Sequence, residues 1–512
     1  MKSIFLVFYL FGFFILPACT GDRQVAREFQ AVQKSPEIPK IDDELLLFKH
    51  NTKQYMSSHR PKWDESGAAV PLTESLFQAE NLKDNHFVEL KNLFGGQQPP
   101  SIDHFTAPIG PGDDPKAFVD DYAYENLEQM DQRGLAEGRI KNTPWSDSYW
   151  PFAKGVISNR HADPGFPDSL NWKTNAEYIR DNLGRGGVER FSAAEKYDLL
   201  MGDSEFSLTR KMLREGQRYY DQYGTVESWM GICHGWAPAS YAVDRPRRSV
   251  TMLAADGQTQ ITFSPSDIKA LISLLWANGT YSFRQMGTRC NIKNPQRDSN
   301  GRVIEPVCFD DNPGAWHLAI VNQVGHSQRS FVMDATYDYQ VWNQPLIRYQ
   351  YSYFNPESLR AVDTLEGAKT LVSTFGGDKF ERYRGPQAVW LVGVVMEVTY
   401  GYESVPSTRA EDMPEYDRTR TVRYLYDLEL SGEGTIIGGE WYTNLHPDFL
   451  WGPTATAKVS TFGDRLLDQQ FPSVTWAGDG PVPSEWKDAS LQSVGRSQPL
   501  ARVVEVLNLK AQ

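Results

Sequence analysis

The apolar pattern divides the chain unevenly. From about residue 387 onward it is strand-like: AVWLVGVVMEVTYGY, TRTVRYLYDLEL and GTIIGGEWY alternate or run apolar between Gly, Pro and Asp breaks. The tail is polar from about 480 until ARVVEVLNL, which reads as a last strand. Between 140 and 345 helix signals dominate. Ser192-Ala-Ala-Glu195 is a capping box, Ser207 is the expected cap of the following helix, and Ser264-Pro265-Ser266-Asp267 opens another. Ile268, Leu271, Ile272 and Leu275 continue that helix as a core stripe. WHLAIVNQV (316–324) and SFVMD (330–334) read as strands. Residues 41–95 carry helical periodicity in places, and 96–116 hold Gly and Pro too densely for regular structure.

The first residues form a different kind of segment. Lys2 precedes an apolar stretch at 4–16, and Leu16-Pro17-Ala18-Cys19 follows as a lipobox. The stretch is too short for a spanning helix, so the expectation is a processed export signal with Cys19 lipidated, or a simple secretory signal cleaved nearby. The domains expected are 1–19 as signal, 20–139 as tether and possible inhibitory prosegment, 140–385 as catalytic core, and 386–512 as a β-rich extension of that core or a second domain. The protein is expected in a cell envelope or secreted, touching a membrane only through the lipid on Cys19.

Charge removes one class of partner. A net charge of −13 over 512 residues lacks the basic footprint that nucleic acid requires. Fourteen Trp and 24 Tyr argue for a packed core.

The four cysteines then narrow the chemistry. Cys19 belongs to the export signal, and Cys290 and Cys308 bracket a polar, turn-rich loop. In an oxidising compartment that pair is expected to form a disulfide, worth about 3 kcal/mol on a chain-entropy argument. Cys233 is left alone in Trp229-Met-Gly-Ile-Cys233-His-Gly-Trp236-Ala-Pro-Ala. It is either an inert buried thiol or a nucleophile activated at a helix N-terminus. Pro238 restricts how that helix can continue.

His317 and Asp334, 17 residues apart, are expected on adjacent strands. A helix-borne Cys followed by a strand-borne His and a carboxylate is the order of papain-like thiol enzymes. His234 is a weaker base because neighbouring side chains point apart, His326 falls in a turn, and Asp310 and Asp311 compete with Asp334. Papain-type enzymes place an oxyanion glutamine upstream of the cysteine. Here Glu227 stands there and cannot donate when ionised, so the Trp229 indole is the substitute, beside the backbone amide of Cys233. Trp236 is a groove-wall candidate. No HExxH, CxxC or EF-hand motif occurs, and no cofactor is required. Gly112-Asp-Asp-Pro and Cys308-Phe-Asp-Asp leave calcium open.

Several segments resemble the transglutaminase-elicitor family: TPWSDSYWPFAKG (143–155), SAAEKYDLLMGD (192–203), WMGICHGWAPAS (229–240), FSPSDIKALIS (263–273), DDNPGAWHLAIVNQVG after Cys308, DATYDYQVWNQP (334–345) and IIGGEWYTNLHPDFLW (436–451). The resemblance spans roughly 140–455. It implies an α+β fold with a papain-like or transglutaminase-like core, a helix-borne cysteine packed on an antiparallel sheet. It also implies protein-glutamine γ-glutamyltransferase activity on glutamine donors and amine acceptors, with Cys233 in the nucleophile's position. The same three residues would serve a papain-like protease, a deamidase or a cell-wall peptide amidase. VWNQP (341–345) is read here as a structural strand segment.

Overall fold

The structure, a computed structural model, describes residues 41–57, 62–63, 69–70 and 111–512, apart from 291, 293–294, 306–307, 309–310, 336–339 and 445. Cys19, Asp310 and the segment expected to be an export signal lie outside the described residues. The frame is a ten-stranded antiparallel sheet. Its principal strands are β1 (Phe283–Gly287), β2 (Val332–Asp334), β3 (Asn343–Asn355), β4 (Trp390–Tyr402), β5 (Arg418–Leu430), β6 (Ile436–Trp441) and β7 (Phe449–Pro453). They lie in the order β6-β5-β4-β3-β2-β7-β1. Strands on both sides of residue 386 therefore share one sheet.

Alternation gives this sheet two separate faces. Tyr351, Tyr353, Val394, Met396, Tyr424 and Tyr426 face one core, and Phe354, Val395 and Leu425 face another. The second face carries the N-terminal helices α1 (Ile41–His50) and α2 (Thr52–Ser57), whose Leu45, Phe48, Tyr55 and Met56 pack with Phe380, Tyr383 and Tyr442. The Asn444 side chain donates to Met56 O at 2.6 Å, fixing this docking.

A helical layer supplies the largest core. It contains α3 (Trp172–Asn182), α4 (Ala193–Leu200), α5 (Ser207–Tyr223), α6 (Cys233–Ala242) and α7 (Pro265–Asn278). Ser192 and Ser264 close reciprocal capping boxes with Glu195 and Asp267 as their spacing requires. Ser207 does not cap α5. It is the first residue of the helix, preceded by Phe206 at φ 53°, and Asp203 and Asp198 accept from the free amides of Ser207, Leu208 and Thr209.

Two strand expectations are corrected. WHLAIVNQV lies in α8 (Pro313–Ile320) and a π-helical turn at Val321–His326. Asn312 caps α8 through Gly314 N, and Pro313 is preset for the first turn. ARVVEVLNL lies in the last helix, Ala501–Lys510, where Val503, Val504 and Leu507 are buried at helical spacing.

Candidate active site

Cys233 is the free cysteine among the described residues, because Cys290 and Cys308 are bonded to each other. It is the first residue of α6. The local sequence sets this up. Ile232 N donates to Tyr149 O at 2.7 Å, an approach that a Cβ on Gly231 would block. Gly235 then lets α6 lie against Ser273 and Ala277 of α7. This packing carries α6 through Pro238, despite the amide that proline lacks.

The sulfur is enclosed by the start of β3. Cys233 Sγ lies 3.8 Å from Val341 O, a contact in which the thiol donates. Asn343 Nδ2 donates back to Sγ at 3.4 Å, and the backbone of Asn343 also hydrogen-bonds to the thiol. Trp451 Nε1 donates to Asn343 Oδ1 at 2.7 Å. Asn343 pairs with Asp334 across β2 and β3, and Asp334 Oδ1 accepts from Trp342 N at 3.0 Å. The rings of Tyr149 and Trp342 lie 5.4 Å apart, and the Tyr149 hydroxyl donates to Ser228 O.

With 5% exposure, burial pushes the Cys233 thiol up to about 11. The Asn343 donors act the other way, and the charges of Glu403 and Asp334 add to the rise. The lowering expected from a helix N-terminus is outweighed by desolvation.

The expected triad does not assemble. Asp334 shares the Cys233 end of the sheet, but His317 does not. His317 sits on α8, fully buried, with Nδ1 2.8 Å from the Tyr426 hydroxyl and its ring 4.9 Å from that of Tyr351. Tyr351 lies eight residues along β3 from Asn343, about 26 Å at the rise of an extended strand. That is further than the side chains at either end can bridge. Burial alone pushes the His317 imidazole down to about 3, so it is a neutral core residue.

Two further expectations change. The Trp229 indole N–H donates to the Glu227 carboxylate and is committed there. Trp236 is fully buried and donates to Trp145 O at 3.0 Å, so it belongs to the core and not to a groove wall. His326 pairs with Asp121 at 2.9 Å. Asp311 is buried near Asp113 and Asp448, and desolvation raises it well above the usual carboxylate range. Among the described residues no group of three or more His, Cys, Asp or Glu could hold a metal ion.

The contact of Asn343 with the Cys233 sulfur was not anticipated. The sequence shows Asn343 only inside VWNQP, and its contact with Cys233 spans 110 positions.

The family model for "Transglutaminase elicitor" matches residues 117–468. Among solved structures, the GP42 transglutaminase from Phytophthora sojae aligns at 20% identity, covering 81% of this chain and 99% of that one, with a TM-score of 0.43. No curated protein matches the chain.

Proposed function

Because the chain belongs to the transglutaminase elicitor family, we propose that it transfers acyl groups from glutamine carboxamides to primary amines through a thioester on Cys233. The observation that supports this reading best is a free thiol on the first residue of a helix, held by the amide of Asn343 inside the matched region.

The chemistry balances without a cofactor. Sγ bonds to the carboxamide carbon, the C–N bond breaks, and the thiol proton leaves with nitrogen as ammonia. A primary amine then attacks the thioester, forming an isopeptide bond and restoring the thiol. At 5% exposure the thiol is covered, so acylation requires its covering residues to move. Burial keeps it protonated until then. Asp334 holds the amide of Trp342, and so the turn into β3, in place.

The protein works outside the cytoplasm on this reading. The export signal at 1–19 argues for that, and so does the Cys290–Cys308 disulfide. Among the described residues no helix is long and apolar enough to cross a membrane.

The test incubates mature protein with a glutamine-bearing protein and a fluorescent primary amine while ammonia is followed. Incorporation that disappears in Cys233→Ala is the expected result. Ammonia without incorporation would make it a deamidase, and chain cleavage a protease. Full activity in Cys233→Ala would refute thiol chemistry altogether.

A further inference from the structure

The contacts around Asn343 go beyond what a structural strand residue needs. Its side chain is 4% exposed, and both ends of its carboxamide are occupied. An indole N–H can only donate, so Trp451 fixes Oδ1 toward itself and turns the NH2 group to Cys233 Sγ. The backbone of Asn343 hydrogen-bonds to the same sulfur. Donors from one residue thus converge on the atom that would be acylated.

We propose that Asn343 supplies the oxyanion donor of the acyl-transfer reaction, and that Trp451 is the positioning residue that aims it. The proposal rests on the Cys233 thioester reading. The oxygen of a tetrahedral intermediate is bonded to the carbon that Sγ attacks, so it lies within one bond angle of the sulfur. A donor already 3.4 Å from Sγ needs only a small shift to reach that oxygen. The Trp229 indole is committed to Glu227, so the role expected of it falls to Asn343. Strand pairing of Asn343 with Asp334 and the Trp451 bond together hold the donor before substrate arrives, which is what preorganised electrostatic stabilisation requires.

Asn343→Asp keeps the shape and the acceptor for Trp451 but replaces the donor with a carboxylate. Trp451→Phe keeps most of the ring volume but loses the indole N–H. In steady-state amine incorporation, Asn343→Asp should lower kcat by about 10²–10³-fold with KM changed only a few-fold. Trp451→Phe should move kcat in the same direction by less. Near-ultraviolet circular dichroism checks that each variant is folded.

A second readout needs no glutamine substrate. Alkylation of Cys233 by iodoacetamide at one mildly alkaline pH should slow by about tenfold or more in Asn343→Asp, because the thiolate loses a donor and gains a like charge. Unchanged kcat in a folded Asn343→Asp would overturn the oxyanion role, and wild-type kcat in Trp451→Phe would overturn the positioning role. If the wild-type protein incorporates no amine, the transferase reading fails. The alkylation arm then decides alone: slowing supports the contact of Asn343 with the sulfur, and an unchanged rate overturns it.

Discussion

Replacing His317 separates a core histidine from a catalytic one. The imidazole is fully buried and pushed down to about 3, against an ordinary value of 6.5. The folded state therefore holds it neutral while the unfolded chain protonates it below about pH 6.5. A depressed folded pKa means that stability is lost as pH falls from about 6.5 toward 3. At about pH 5 the unfolded state is favoured by roughly 2 kcal/mol through this group, and the ceiling is about 5 kcal/mol. His317→Phe removes that dependence but leaves the Tyr426 hydroxyl without its imidazole partner, at a cost of about 1–3 kcal/mol. His317→Phe combined with Tyr426→Phe removes both polar groups. Urea unfolding of wild type and double variant at about pH 7 and about pH 5 gives the answer as a difference of differences. Buried carboxylates such as Asp147 and Asp198, raised to about 7 by desolvation, act in the opposite sense but cancel in that comparison. The wild type should lose about 2 kcal/mol more than the variant on acidification. Amine incorporation near neutral pH should stay within a few-fold. Equal acid sensitivity of the two proteins, or a loss of incorporation of about 10³-fold in a stable variant, would refute the reasoning.

In the free wild-type protein, Cys233 alkylation should climb with pH toward about 11, and a plateau near or below neutrality would reveal a thiolate–imidazolium pair instead. Gly235→Ala would drive a methyl group into the Ser273 carbonyl oxygen and to within 2.7 Å of Ala277 Cβ, separating α6 from α7. A loss of about 1–3 kcal/mol in urea unfolding is expected. Arg384 meets both oxygens of the buried Asp427 at 2.6 and 2.7 Å and also bonds Asp378. Arg384→Gln should cost about 3–5 kcal/mol in the same measurement, because it strands buried carboxylates.

Much of the architecture was written locally. β4, β5 and β6 were legible because their apolar runs are bounded by turn residues, and α4 and α7 because their capping boxes are complete. WHLAIVNQV was misread because a short apolar run suits a buried helix as well as a buried strand. Asn312-Pro313, a cap followed by a first-turn proline, was the signal that would have decided it. ARVVEVLNL misled through its paired valines, which have strand propensity but here sit at helical spacing. Cys233, the proposed nucleophile, stood out by elimination among four cysteines. Its partner did not, because nothing near residue 343 announces a sulfur 110 positions away. His317 failed for the converse reason: its distance from Asp334 along the chain is short, but the helix turns its ring into a tyrosine-lined core.

The pairing of Asp334 with Asn343 also acts as a length standard. Side chains on a strand change face at every residue, so chain added or removed one residue at a time before β3 would carry Asn343 alternately toward and away from the sulfur. Of the properties of that connection, its length is the one that sets which face Asn343 presents. Among descendants of this sequence, the number of residues between Asp334 and Asn343 should stay fixed.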